Sequence, residues 1–131
     1  MKLLLDTHLL IWAAAGSERL PVQVREMLGE EQNEPLFSAA SIWEIAIKAS
    51  MGRADFKVEP RLLRRGLLEG GWKELAIASD HALAAGDLPP IHKDPFDRLL
   101  VAQALVEGVV LLTADPVVAR YPAPIRKVEK R

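Results

Sequence analysis

The chain has 131 residues and a mass of 14.5 kDa, enough for one domain spanning residues 1–131 and little more. Half of its residues are hydrophobic and 27% are charged, which excludes disordered, collagen-like and coiled-coil chains. With 17 basic and 18 acidic side chains the net charge is −1, so any nucleic-acid binding must come from a local patch or a metal.

In chain order, Lys2 to Leu5 reads as a buried strand and Thr7 to Ala15 as a helix closed by Gly16. Val22 to Leu28 is a second helix, with Pro21 at its entry and Val24, Met27 and Leu28 on one face. A strand, Pro35 to Ser38, leads into a longer helix, Ala39 to Met51, stopped by Gly52. Beyond the irregular stretch Arg53 to Glu59 comes a helix from Pro60 to Glu69, then Gly70-Gly71 and a short strand, Leu75 to Ala78. Ser79 or Asp80 is expected to cap the next short helix, and Pro89-Pro90 keeps Gly86 to Asp94 a loop. Pro95 to Glu107 carries the clearest helix signal, with Asp94 as N-cap and Gly108 at its end. Val109 to Thr113 reads as a strand, Asp115 to Tyr121 as a short helix and Pro124 to Val128 as a last strand. Continuously apolar strands alternating with helices predict a three-layer α/β/α sandwich around a parallel sheet. Right-handed crossovers then bring all strand C-termini to one edge.

Two absences narrow the chemistry. Without cysteine there are no disulfides, thiolate zinc sites or cysteine nucleophiles, which agrees with a reducing compartment. The longest apolar run, Leu9 to Ala15, is too short for a bilayer span of roughly 20 helical residues. Asp6 and His8 interrupt what would be the core of a signal peptide. A soluble cytoplasmic protein without membrane contact is expected.

Asp6 stands at the end of the first strand, and Glu44 lies in the helix after the second. Asp94 and Asp97 open the strongest helix, and Asp115 follows the strand Val109 to Thr113. In a parallel sheet all five gather along one edge. Two like charges at 4 Å cost about 4 kcal/mol at an effective dielectric near 20, so several such pairs consume much of a stability of ~5–15 kcal/mol. A shared cation offsets that cost. Oxygen ligands with no Cys and no His cluster select hard ions such as Mg²⁺ or Mn²⁺.

Each acid alone has an ordinary explanation. Asp94 is a natural N-cap, and Asp97 is placed to answer the helix dipole. Glu44 forms a Ser-x-x-Glu pattern with Ser41 and an i,i+4 pair with Lys48, although its apolar surroundings, Ile42-Trp43 and Ile45-Ala46-Ile47, demand a strong partner. Asp115 starts a turn with Pro116. Asp6 has no evident capping partner beyond the Thr7 and His8 amides. Taken together, these explanations require five coincidences at one edge.

Four blocks carry a family resemblance: Leu4-Leu5-Asp6-Thr7-His8, Ser38 to Lys48, His92-x-Asp94-Pro95-Phe96-Asp97-Arg98 through Ala104, and Leu112-Thr113-Ala114-Asp115. In order and spacing they resemble the PIN-domain nucleases, and within them the VapC-like toxins of type II toxin–antitoxin systems. The resemblance covers nearly the whole chain. It implies an Mg²⁺-dependent endoribonuclease, with Mn²⁺ as a substitute, held inactive by a cognate antitoxin. Asp6, Glu44, Asp97 and Asp115 take the places of the metal-binding acids, and Thr113 that of a hydroxyl orienting a bound water. Thr7 and Asp94 would support the acids, and Arg98 would reach a phosphate or pair with the acids. One departure is Val118, where many relatives carry a further acid.

In-line attack by water would leave a 5′-phosphate and a 3′-hydroxyl. His8 and His92 read as hydrogen-bonding residues near the site and His81 as helix surface. The basic face Arg61, Arg64 and Arg65, preceded by Arg53 and Lys57, reads as solvated or phosphate-tracking. Trp12, Trp43 and Trp72 read as core or interface packing with stacking on bases as the alternative. Leu9, Trp12 and the leucines from Leu62 to Leu68 suggest a homodimer and a groove for an antitoxin helix. Three rivals stand beside this reading. A receiver domain would carry paired acids after the first strand and a lysine after a late one. An aspartate phosphatase would place an acid where His8 stands. The third is a PIN scaffold without activity, binding RNA or a protein.

Overall fold

Leu3, Leu4 and Leu5 are all fully buried, as a strand covered on both faces requires. A computed structural model describes residues 1–130 and places this strand, β1 (Lys2–Leu5), at the centre of a sheet. The chain continues through α1 (Thr7–Ala15), α2 (Val22–Leu28), β2 (Glu34–Ser38), α3 (Ala39–Ser50), α4 (Pro60–Glu69) and β3 (Lys73–Leu75). It then forms α5 (Ser79–Asp87), α6 (Pro95–Glu107), β4 (Val110–Thr113), a single 3-10 turn (Val118–Arg120) and β5 (Ile125–Lys127). The strands run β3-β2-β1-β4-β5, every pair parallel.

Alternation along β1 separates two cores. Leu3 and Leu5 join Leu9 and Leu10 of α1, Val24 of α2 and Leu67 of α4 on one face. Leu4 joins Leu100, Val101 and Ala104 of α6 on the other. The three-layer sandwich expected from the sequence is therefore the observed one. The strand order reverses at β1, so the crevice beyond the ends of β1 and β4 is the switch point where such sheets place their sites.

Local differences concentrate where tertiary contacts overrule the pattern. β3 occupies Lys73–Leu75 rather than Leu75 to Ala78. It is an edge strand whose polar residues find ion pairs, Lys73 with Glu34 and Glu74 with Arg64, so no apolar run marks it. Neither Ser79 nor Asp80 caps α5; the Ala78 amide donates instead to His81 Nδ1 at 2.9 Å. His81, expected on the surface, is only 2% exposed. The expected helix from Asp115 to Tyr121 shrinks to the 3-10 turn. Leu9 is wholly buried and Trp12 half-buried against the first core, so α1 offers no broad apolar surface.

Candidate active site

Asp6 follows β1 directly and caps α1: its Oδ1 accepts from the Leu9 amide at 3.0 Å. That amide is the partner the sequence did not disclose. The other oxygen, Oδ2, accepts from the Thr113 hydroxyl at 2.6 Å, joining the ends of β1 and β4. Thr113 in turn accepts from the Asp115 amide at 3.0 Å, and Asp115 Oδ1 accepts from the Val117 amide at 2.8 Å. Thr113 thus spends its hydrogen on Asp6 and acts on the carboxylate and on the following loop.

Ser38, at the end of β2, caps α3 by accepting from the Ala40 amide, so Ser41 is not the cap. The first turns of α3 then carry Glu44 back over the strand ends, where it is 8% exposed. Thr7 donates to Glu44 Oε1 at 2.7 Å, and Lys48 lies 3.3 Å from Oε2. Ser41 Oγ, 3.0 Å from Thr7, completes a buried link between α1 and α3. The strong partner that this carboxylate needed is therefore supplied twice.

Asp94 caps α6 with a single oxygen, Oδ1, which accepts from the Phe96 and Asp97 amides at 2.8 and 3.2 Å. Asp97 makes no such cap. Its Oδ2 lies 3.2 Å from His92 Nε2, and Asp115 Oδ2 lies 3.6 Å from the same nitrogen. His92 Nδ1 accepts from the Asp94 amide, which leaves the Nε2 hydrogen facing the two acids in the neutral ring. His92, Asp97 and Asp115 offer ligand atoms all within 4.8 Å of one another.

Electrostatics ties these groups into one site. Burial pushes the Asp97 carboxyl up to about 7, helped by the charges of Asp94, Asp6 and Glu44 and opposed by His92. Burial also raises Asp6, and Asp115 adds to the rise, against the hydrogen bonds from Thr113 and Leu9 and the charge of His8. Acids from four separate segments therefore feel one another. An oxygen-rich donor set with one imidazole at its rim, and a surplus of negative charge, fits a hard divalent cation.

Arg98 stands apart from this cluster, and the expectation that it pairs with the acids or reaches a phosphate is corrected. Its guanidinium donates to the carbonyls of Ala85, Leu88 and Pro89 and to the Tyr121 hydroxyl. Those bonds fasten the loop before α6 and occupy both terminal nitrogens of the guanidinium. Of the core and interface roles open to Trp43, the structure excludes the core: the side chain is 59% exposed and touches the Phe96 ring edge-on at 5.2 Å.

A family model for the PIN domain matches residues 3–124. The chain belongs to the PIN-domain family. It is 30% identical over 125 residues to Ribonuclease VapC22 of Mycobacterium tuberculosis (strain ATCC 25618 / H37Rv), covering 93% of this chain and 95% of that protein. Its fold is similar to a solved structure of VapBC2 from Rickettsia felis bound to a promoter DNA fragment. There the TM-score is 0.71 at 15% identity, over 98% of this chain and 100% of that one. DNA-bound VapBC from Salmonella typhimurium gives 0.66 at 19% identity, over 97% and 98%.

Within this PIN fold the residue most undervalued by sequence is His92. Its spacing, two before Asp94 and five before Asp97, hinted at proximity. Only the loop fastened by Tyr121, whose hydroxyl accepts from the His92 amide at 2.8 Å, turns the ring toward Asp97 and Asp115.

Proposed function

We propose that this PIN domain is a metal-dependent endoribonuclease of the VapC kind, using Mg²⁺ with Mn²⁺ as a substitute. The observation that carries the reading is the convergence of Asp97 and Asp115 on His92, with ligand atoms all within 4.8 Å of one another. Burial in that crevice, helped by the charges of Asp94, Asp6 and Glu44, pushes the Asp97 carboxyl up to about 7. A crevice that penalises its own charge is matched to a cation. The likeness to a ribonuclease over 93% of the chain supports RNA as the substrate.

Bound there, a divalent ion supplies positive charge toward a phosphodiester and makes a water more acidic. Asp6, Glu44, Asp97 and Asp115 are the oxygen donors that would hold it. Thr113 and the Leu9 amide fix the two oxygens of Asp6, and Thr7 and Lys48 those of Glu44, so neither carboxylate has to reorganise. Asp94 organises the turn that presents Asp97. His92 holds a hydrogen on Nε2 toward Asp97 and Asp115, at the rim where a phosphate arrives. Hydrolysis by in-line attack of water leaves a 5′-phosphate and a 3′-hydroxyl.

The same reading takes a cognate antitoxin protein as inhibitor and a homodimer as the working assembly, in the cytoplasm. Solved VapBC complexes of the same fold support the first. An exposed apolar stripe on and just beyond α3, formed by Trp43, Ile47 and Met51, supports a protein contact.

Incubation with single-stranded RNA and Mg²⁺, followed by end mapping, tests the chemistry. Cleavage abolished by EDTA, restored by Mn²⁺ and leaving 5′-phosphates is expected. Cleavage that persists in excess EDTA, or cyclic phosphate ends, would overturn it in favour of a histidine mechanism.

A further inference from the structure

Two hollows beside the acids share one wall. The first, about 410 Å³, runs from Asp6 and Asp115 past Pro116 to His8 and Trp12. The second, about 330 Å³, begins at the other side of His8 and Trp12 and is lined by Arg19, Lys48, Arg53 and Lys57 against a single acid, Asp55. His8 and Trp12 are one helical turn apart on α1, their rings 6.2 Å apart and tilted by 41°, so they form a ridge between the hollows. His8 is exposed and Trp12 half-buried. Among the described residues neither Arg19 nor Lys57 makes an ion pair, in a chain whose overall charge is −1.

We propose that single-stranded RNA enters the acidic site over this ridge, one base stacking on His8 and Trp12 while the flanking phosphates lie along Arg19, Lys48, Arg53 and Lys57. This deepens the ribonuclease reading and rests on it. Each part of the track matches one part of a nucleotide. Aromatic faces take bases of any sequence, and cations take phosphates. The far end opens on the carboxylates that would act on the next phosphodiester. An acidic peptide would satisfy the cations but has no use for the aromatic ridge. Arg53 is already engaged by Asp55 and Lys48 by Glu44, so Lys57 and Arg19 are the residues of the track with charge to spare.

The full chain carrying Asp97→Asn, which keeps the RNA whole, is titrated with a fluorescent eight-nucleotide oligoribonucleotide in Mg²⁺ and read by anisotropy. A matched oligomer with one abasic position serves beside it. Adding Trp12→Leu should weaken binding of the intact oligomer by about tenfold and leave the abasic oligomer unchanged. His8→Ala, at an exposed position that folding does not need, should weaken it by a smaller factor in the same selective way. Lys57→Ala should lower the slope of log affinity against log salt by about one for both oligomers, and Arg65→Ala on α4 should not. The proposal fails if folded Trp12→Leu and His8→Ala proteins bind the intact oligomer normally, or lose both oligomers equally. It also fails if these substitutions instead cost affinity for a glutamate-rich peptide. A wild-type chain that neither binds nor cuts the intact oligomer in Mg²⁺ or Mn²⁺ sinks the ribonuclease reading itself. Cutting with unaltered Trp12→Leu binding sinks the ridge alone.

Discussion

Two buried polar regions share helix α6 and differ in how they balance donors and acceptors. Toward its C-terminal end, Gln103 accepts from Ser38 Oγ at 2.6 Å and donates to the Ala76 carbonyl at 3.3 Å. Alongside, His81 accepts from the Ala78 amide and meets Glu107 at 2.7 Å. Donors alternate with acceptors, and among the described residues no buried side-chain polar atom lacks a partner. At the N-terminal end of the same helix, Asp97 faces Asp6, Glu44 and Asp94 with only His92 in opposition. The first region is built to be stable by itself. The second is left in electrostatic debt, which is how a site selects a cation.

The sharpest way to break the contrast is at the acids. Asp6→Asn or Asp97→Asn should lower the rate of RNA cleavage by about a hundredfold or more while the folded circular-dichroism spectrum is retained, measured in Mg²⁺. Wild-type rates in either variant would detach function from the acidic edge. Gln103→Leu should do the opposite. It strands the Ser38 hydroxyl and the Ala76 carbonyl, costing about 1–3 kcal/mol in denaturant unfolding, with activity per folded molecule unchanged.

Proton linkage gives a finer measure. Above pH ~4 the unfolded chain has released the Asp97 proton, whereas the fold retains it until about 7. Across that window the native state binds more protons, so metal-free stability from this group should fall as pH rises and level off above 7. Asp97→Asn should flatten the slope and raise the metal-free melting temperature at pH 8 by a few degrees, an effect on the order of 1–2 kcal/mol after solvent screening. The smallest effect expected is the pH dependence of stabilisation by Mn²⁺. Because the ion binds only once Asp97 is ionised, a low excess of Mn²⁺ over the dissociation constant should raise the wild-type melting temperature slightly more at pH ~8 than at pH ~5.5. Equal metal-induced shifts at both values would place the ion elsewhere.

Much of this is legible in the sequence alone. Leu3-Leu4-Leu5 and Leu111-Leu112 announce strands buried on both faces, and Asp94-Pro95 announces the start of α6. Those signals are local and need no partner to be read. The acids are legible for a different reason: Asp6, Asp94, Asp97 and Asp115 sit just past a strand or at a helix start, and Glu44 lies within the first two turns of α3, so sheet parallelism sends them to one edge. The ordinary role assigned to Asp94 is the one its oxygen performs, since Oδ1 takes two amides. Asp6 also caps, through the Leu9 amide, and its second oxygen still reaches Thr113. Capping and a place on the acidic edge are compatible.

What did not show was every feature decided by a partner distant in the chain. Adjacency to Asp97 suggests an acidic partner for Arg98, but Ala85, Leu88, Pro89 and Tyr121 take its guanidinium. The sequence places His81 on a helix surface, but it is buried and its ring meets Glu107 of α6. Trp43 sits in an apolar run yet faces outward.

Residue order and helical or strand periodicity were enough to determine the layered parallel fold and the edge on which the carboxylates collect, because both follow from backbone geometry and apolar burial. Tertiary packing alone decided which oxygens are pinned, where His92 points and which cations stay uncommitted. Those outcomes depend on contacts between residues far apart in sequence, such as the 107 positions separating Asp6 from Thr113, and no local pattern encodes them.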